Sequence, residues 1–94
     1  MLNYKFITSD YLSEIIVSLI GDSPHEYIDL DIWTDNIYNG NYKANYFHEI
    51  SDDHLGRSTS VYKLTIKPFK ISKVINLVVK TKVNGTISAN IITN

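Results

Sequence analysis

Cysteine is missing from all 94 residues. That excludes a disulfide framework and a thiolate metal site, and it suits a reducing compartment. No apolar run approaches the ~18 residues of a membrane-spanning helix. The opening MLNYKFITSD lacks the charged region, apolar core and cleavage site of a secretion signal. The expectation is a cytoplasmic protein with no membrane partner. There is also no complete catalytic or cofactor motif, so no cofactor is expected. A chain of this length makes one domain, residues 1–94, whose single core has little margin to spare.

Another absence is positional. After residue 56 there is no acid. Residues 1–56 hold all ten acids with only Lys5 and Lys43, a balance of −8. Residues 57–94 hold Arg57, Lys63, Lys67, Lys70, Lys73, Lys80 and Lys82, a balance of +7. Two readings follow. Either the halves lie side by side and neutralise each other, or the molecule carries an acidic and a basic surface. Separate surfaces would select and steer partners, and could join copies of the chain to one another.

What is present is led by Ser9–Ile20, SDYLSEIIVSLI. Apolar residues at Tyr11, Leu12, Ile15, Ile16, Leu19 and Ile20 fit one stripe of a 3.6-residue period, and the spacing predicts a helix. Thr8, Ser9 or Asp10 would cap its start, and Gly21 would end it in a left-handed conformation before Pro24. Ile16 is then a core residue.

The remaining chain reads as strand and turn. Asn3–Ile7 is a short first strand. Glu26–Asp35 alternates, with Ile28, Leu30 and Ile32 on one face and Tyr27, Asp29, Asp31, Trp33 and Asp35 on the other. Asn39-Gly40 is a hairpin signal. A two-residue turn there sets Trp33 opposite Tyr46 and Asp31 opposite His48. A three-residue loop would oppose Asp29 and Glu49, and like charges directly opposed are unfavourable. Ser51–Ser60 reads as a polar loop. Val61–Lys67 alternates with Tyr62, Leu64 and Ile66 inward, and Pro68 ends that strand or sits at an edge. Ser72–Val83 and Thr86–Thr93 read as a second hairpin about Asn84-Gly85, pairing Thr81 with Ile87, Val79 with Ala89 and Leu77 with Ile91. The expected fold is therefore α+β, one N-terminal helix on a five- or six-stranded, mostly antiparallel sheet.

Four candidate sites arise. His48, His54, Arg57 and Lys63, with Glu49 nearby, supply the base, acid and cation types of a small metal-independent ribonuclease. His48, Asp52, Asp53 and His54 match no usual metal spacing, and a solvated acidic turn explains them; no metal is expected. Lys63, Lys67, Lys80 and Lys82 would hold nucleic-acid phosphates if their strands are neighbours. Exposed aromatics for base stacking are lacking there, and lysine also protects sheet edges. The fourth candidate is a protein-binding surface of Tyr27, Asp29, Asp31, Trp33, Asp35, Tyr46 and Glu49. Aromatics interleaved with carboxylates suit a partner with a basic surface. The expected function is a small non-enzymatic inhibitor, of the toxin-immunity or phage anti-defence kind by analogy of size and charge. It would cover a basic, nucleic-acid-handling surface of its target.

Overall fold

A computed structural model describes residues 2–7, 11–22, 25–52, 57–70 and 74–93. Every element in it is a strand: β1 (Leu2–Ile7), β2 (Tyr11–Asp22), β3 (Tyr27–Thr34), β4 (Ile37–Asp52), β5 (Arg57–Lys70), β6 (Val74–Val79) and β7 (Asn84–Thr93). They form one seven-stranded sheet in the order β1-β6-β3-β4-β5-β2-β7. All its ladders are antiparallel. The sheet curls into a nearly closed barrel. Its edge strands meet where the Tyr4 hydroxyl donates to the Ile87 carbonyl at 2.7 Å.

The expected α+β fold is thus corrected to all-β, and the expected helix is β2. The sequence of this segment satisfies both periods. Leu12, Ile15 and Leu19 are fully buried, as a helical stripe requires, but so is Val17, which a helix would turn away. Ile15, Val17 and Leu19 line the barrel, while Ile16 is only half-buried and Ile20 is exposed. A bulge at Ser13, between Leu12 and Glu14, brings Leu12 back to the inside. The β-branched Ile15, Ile16, Val17 and Ile20 favour the pleat. Tertiary pairing completes the choice, since β2 is bonded to β5 on one side and β7 on the other. The proposed caps Thr8, Ser9 and Asp10, and Pro24 beyond the expected helix end, lie outside the described residues. Gly21 does take a positive φ of 134°, but opposite Gly85 at the end of the β2–β7 ladder. A Cβ at Gly21 would stand 2.6 Å from the Asn84 carbonyl oxygen.

Both hairpin expectations also change. The first turn is Asp35-Asn36, with φ of 49° and 65°, the pair of left-handed residues that suits a two-residue hairpin. Trp33 therefore faces Tyr38, not Tyr46, and Asp31 faces Asn41, not His48. Asn39 becomes the extra residue of a bulge, since Ile32 faces Gly40 and Trp33 faces Tyr38. The second hairpin does not form. β6 pairs with β1 and β3, and β7 pairs with β2. The expected polar loop after residue 50 is shorter, because β4 runs to Asp52 and β5 begins at Arg57. Pro68 lies within β5, beyond Lys63, where the β4 ladder ends. It falls in the stretch where the β2 register jumps from Thr65 to Phe69.

The expected inward residues of β3 and β5 do face the core. Ile28, Leu30 and Ile32 of β3, Tyr62 of β5, and Ile75 and Leu77 of β6 are fully buried inside the barrel. Each such aliphatic contributes roughly 1.5–3 kcal/mol. The Tyr62 hydroxyl escapes burial without a partner by donating to the His25 carbonyl at 3.1 Å.

Candidate functional site

Alternation along β3 turns Tyr27, Asp29, Asp31 and Trp33 outward together. The β4 register then sets Asn45, Lys43, Asn41 and Tyr38 opposite them. On the other flank, Lys80 and Thr81 follow β6 and are pinned to β3. The Lys80 N–H donates to the Asp29 carbonyl, and the Asp29 N–H donates to Thr81 Oγ1, both at 2.8 Å. An open depression lined by His25, Glu26, Tyr27, Asp29, Lys80 and Thr81 borders the cluster.

Two carboxylates two residues apart on one strand face repel each other. Asn41 offsets this. Its Nδ2 donates to Asp29 Oδ1 at 2.6 Å and to Asp31 Oδ1 at 2.9 Å. It also reaches the Leu30 carbonyl at 3.3 Å. The Tyr38 hydroxyl donates to Asp31 Oδ1 at 3.2 Å, and Lys80 Nζ lies 3.4 Å from Asp31 Oδ2. Asp31 is only 8% exposed, which alone would favour its neutral form. The Asn41 hydrogen bond, with help from Lys80 and Tyr38, outweighs this and holds the carboxyl below its ordinary value. Burial, and then the Asp31 charge, pushes the Tyr38 hydroxyl up, so it stays a donor. The Trp33 and Tyr38 rings meet at 5.0 Å and 59°. Lys43 sits 4.6 Å over the Tyr27 ring. These donors and rings hold the two carboxylates in place.

Four of the seven expected partner-binding residues are brought together here: Tyr27, Asp29, Asp31 and Trp33. Asp35 serves the fold. Its N–H donates to the Val74 carbonyl and its Oδ1 accepts from the Val74 N–H, each at 2.9 Å. Tyr46 has the opposite parity and meets Tyr62 edge-on at 5.8 Å. Glu49 lies opposite Ser60, past the end of the β3–β4 ladder. Sequence reasoning missed Tyr38, Asn41 and Lys80. The signal for the first two was Asp35-Asn36, two residue types that tolerate left-handed φ. Placing the turn there gives the correct register.

The lysines are dispersed. β3 and β4 separate β5 from β6, so Lys63 and Lys80 do not share the face expected of them. Lys63 lies 3.5 Å from Glu14 and 4.9 Å over the Phe47 ring. Lys82 stands between β6 and β7. The side chain of Lys67 lies outside the description. The ion pairs Lys63–Glu14 and Lys80–Asp31 each join the basic half to the acidic half, as the neutralising reading of the charge division expects.

Of the ribonuclease set, His48 lies 4.8 Å from the Phe47 ring on the outside of β4, and Lys63 is held by Glu14. His54 lies outside the described residues. Only the backbone of Arg57 is described, opposite Asp52. Asp53, from the metal candidate, is also outside the described residues. Among those described, no three His, Asp or Glu side chains stand close enough to hold a metal. No helix among the described residues is long and apolar enough to cross a membrane. Comparison with protein-family models, curated proteins and solved structures finds no match to the chain.

Proposed function

We propose that the chain is a small non-enzymatic protein-binding domain whose outer β3 face docks on a basic surface of another protein. One observation carries the reading. Asp29 and Asp31 are clamped by Asn41 and flanked by the Trp33–Tyr38 pair on one side of the barrel. Fixed carboxylates lose little freedom on meeting a cationic partner. Adjacent aromatics supply the apolar anchor such interfaces use. A protein that handles nucleic acid presents such a basic surface, and masking it is the concrete form of the activity. The lack of cysteine fits a reducing, cytoplasmic setting.

The test is a tagged pull-down at low and high salt, with mass spectrometry of what is recovered. One stoichiometric protein that leaves at high salt is expected. Asp29→Lys, on the half-buried member of the pair, should lose it. Lys80→Ala should retain or tighten it, because Lys80 competes for Asp31. Equal losses from both variants would place binding elsewhere. Recovery of nucleic acid alone would favour the lysines instead.

A further inference from the structure

The sheet has an odd number of strands, and each runs opposite to its neighbour. Six reversals separate β1 from β7, so these two edge strands run the same way. Curling brings them together, yet among the described residues no ladder joins them. A side chain does so instead, through the Tyr4 hydroxyl on the Ile87 carbonyl. That bond shows which main-chain groups of β7 look into the seam. The N–H and C=O of one strand residue point to the same side, and successive residues alternate. Ile87 faces the seam, so Ala89 and Ile91 do too, while Ser88 and Asn90 are turned to β2. The Ile91 N–H agrees, since it donates to Asn90 Oδ1 at 2.9 Å. Edge strands are usually blunted by lysine, proline or an inward charge. β7, NGTISANIIT, holds no charged residue and no proline, and Lys5 is the one charge of β1. Tyr4 and Phe6 of β1, with Ala89 and Ile91 of β7, pack against the core but stay only half-buried.

We propose that the seam takes one extended segment of another protein as an eighth strand, antiparallel to both edges. The parity of the sheet names the occupant. Direct closure would put one parallel pair into an otherwise antiparallel barrel. A single strand between β1 and β7 makes every neighbour antiparallel and leaves no edge. A second copy of the chain does not meet this need. Each of its edge strands already belongs to a sheet and has one side to offer, whereas the seam has two sides to fill. The added strand runs toward Asn84 as it passes β7, and bonds to the main chain of Ile87 and Ala89. A hollow of about 390 Å³ beside Leu2, Val83 and Asn84, where both edge strands begin, receives its leading end. Every second residue of the segment turns inward over Tyr4, Phe6, Ala89 and Ile91, so those residues are apolar. Tyr4 is the latch. Its hydroxyl occupies the Ile87 carbonyl that the entering strand needs, and must release it.

The probe is a synthetic peptide, SKVINLVVKTK, with the sequence of residues 72–82. Its centre, as β6, already lies antiparallel between two strands that run the same way, β1 and β3. The peptide is titrated to about 1 mM into the isotope-labelled full chain, and amide shifts and hydrogen exchange are followed. Saturable shifts at Ile87, Ala89 and Ile91 are expected, with slower exchange of the Ile87 and Ala89 N–H. Tyr4→Phe should bind the peptide about fivefold more tightly, because the carbonyl is already released. Ala89→Pro removes an N–H on the seam side, which an edge strand tolerates, and should bind at least about tenfold more weakly. Should that variant fail to fold, the peptide carrying Leu77→Pro gives the same reading and should not bind. No shifts at the highest peptide concentration would overturn the proposal. So would shifts confined to β1 and β3, where the peptide has replaced β6, or no gain in affinity from Tyr4→Phe. Concentration-dependent shifts along β7 without peptide would give the edge to a second copy, and would overturn it too.

Discussion

Replacing Val17 by threonine keeps the side-chain shape and adds one hydroxyl to the barrel wall. Val17 is fully buried. The backbone on either side of it is engaged with β5 and β7, where Val17 faces Tyr62 and Ala89. The new hydroxyl therefore meets no free acceptor and no water, which costs about 1–3 kcal/mol. For a chain of this size each kcal/mol moves the melting temperature by roughly 4–8 °C, so a ~2 kcal/mol loss is a drop of roughly 8–16 °C. Ile16→Thr is the control. That side chain is half-buried on the outer face, and removing part of it should cost less than about 1 kcal/mol. The assay is thermal and urea melting at a concentration where sedimentation finds only monomer. A helix with the stripe Leu12, Ile15, Ile16 and Leu19 makes the opposite prediction. If Ile16→Thr costs more than Val17→Thr, the assignment of β2 is wrong.

Three further outcomes follow from particular contacts. Tyr4→Phe removes the hydroxyl that bridges β1 to β7 and should cost about 1 kcal/mol in urea unfolding. Gly85→Ala puts a side chain at φ 137°, directly against the Ile20 carbonyl; it should destabilise by more than about 2 kcal/mol, seen as a large shift of the same midpoint. Asp31 is held below its ordinary value of 3.8, so on acidification the unfolded chain takes up this proton first. Its contribution to stability is present above 3.8 and is lost as pH falls from there through the lower folded value. The gap in melting temperature between wild type and Asp31→Asn should accordingly be widest near neutrality and close in acid.

The parts of the fold that were legible in the sequence are those decided within one strand. Tyr27–Thr34 alternates so cleanly that its inner and outer residues could be read directly, and half the candidate site came with them. β2 was not legible because apolar residues at 12, 15, 16, 17, 19 and 20 satisfy the helical and the extended period alike. Pairing with two distant strands decided the matter. The hairpin failed for a different reason. Asp35-Asn36 and Asn39-Gly40 are both competent turn sequences four residues apart, and the second was used as a bulge. Asn41 and Tyr38 depended on that register, and Lys80 depended on β6 lying beside β3. The first relation hung on choosing between two nearby turns, and the second is not local. Asn84-Gly85 misled similarly: the pair opens β7 opposite Asp22 and Gly21 rather than turning β6 back.

The barrel rests on β2 being the strand between β5 and β7, with Ile16, Ser18 and Ile20 turned outside. Nuclear Overhauser contacts across β2 in the labelled protein test this most directly. A barrel predicts cross-strand backbone contacts from Val17 to Tyr62 and to Ala89, with extended-chain contacts along Ile15–Ile20. Helical contacts between residues three apart from Ser13 to Ile20, with no cross-strand partners, would contradict it.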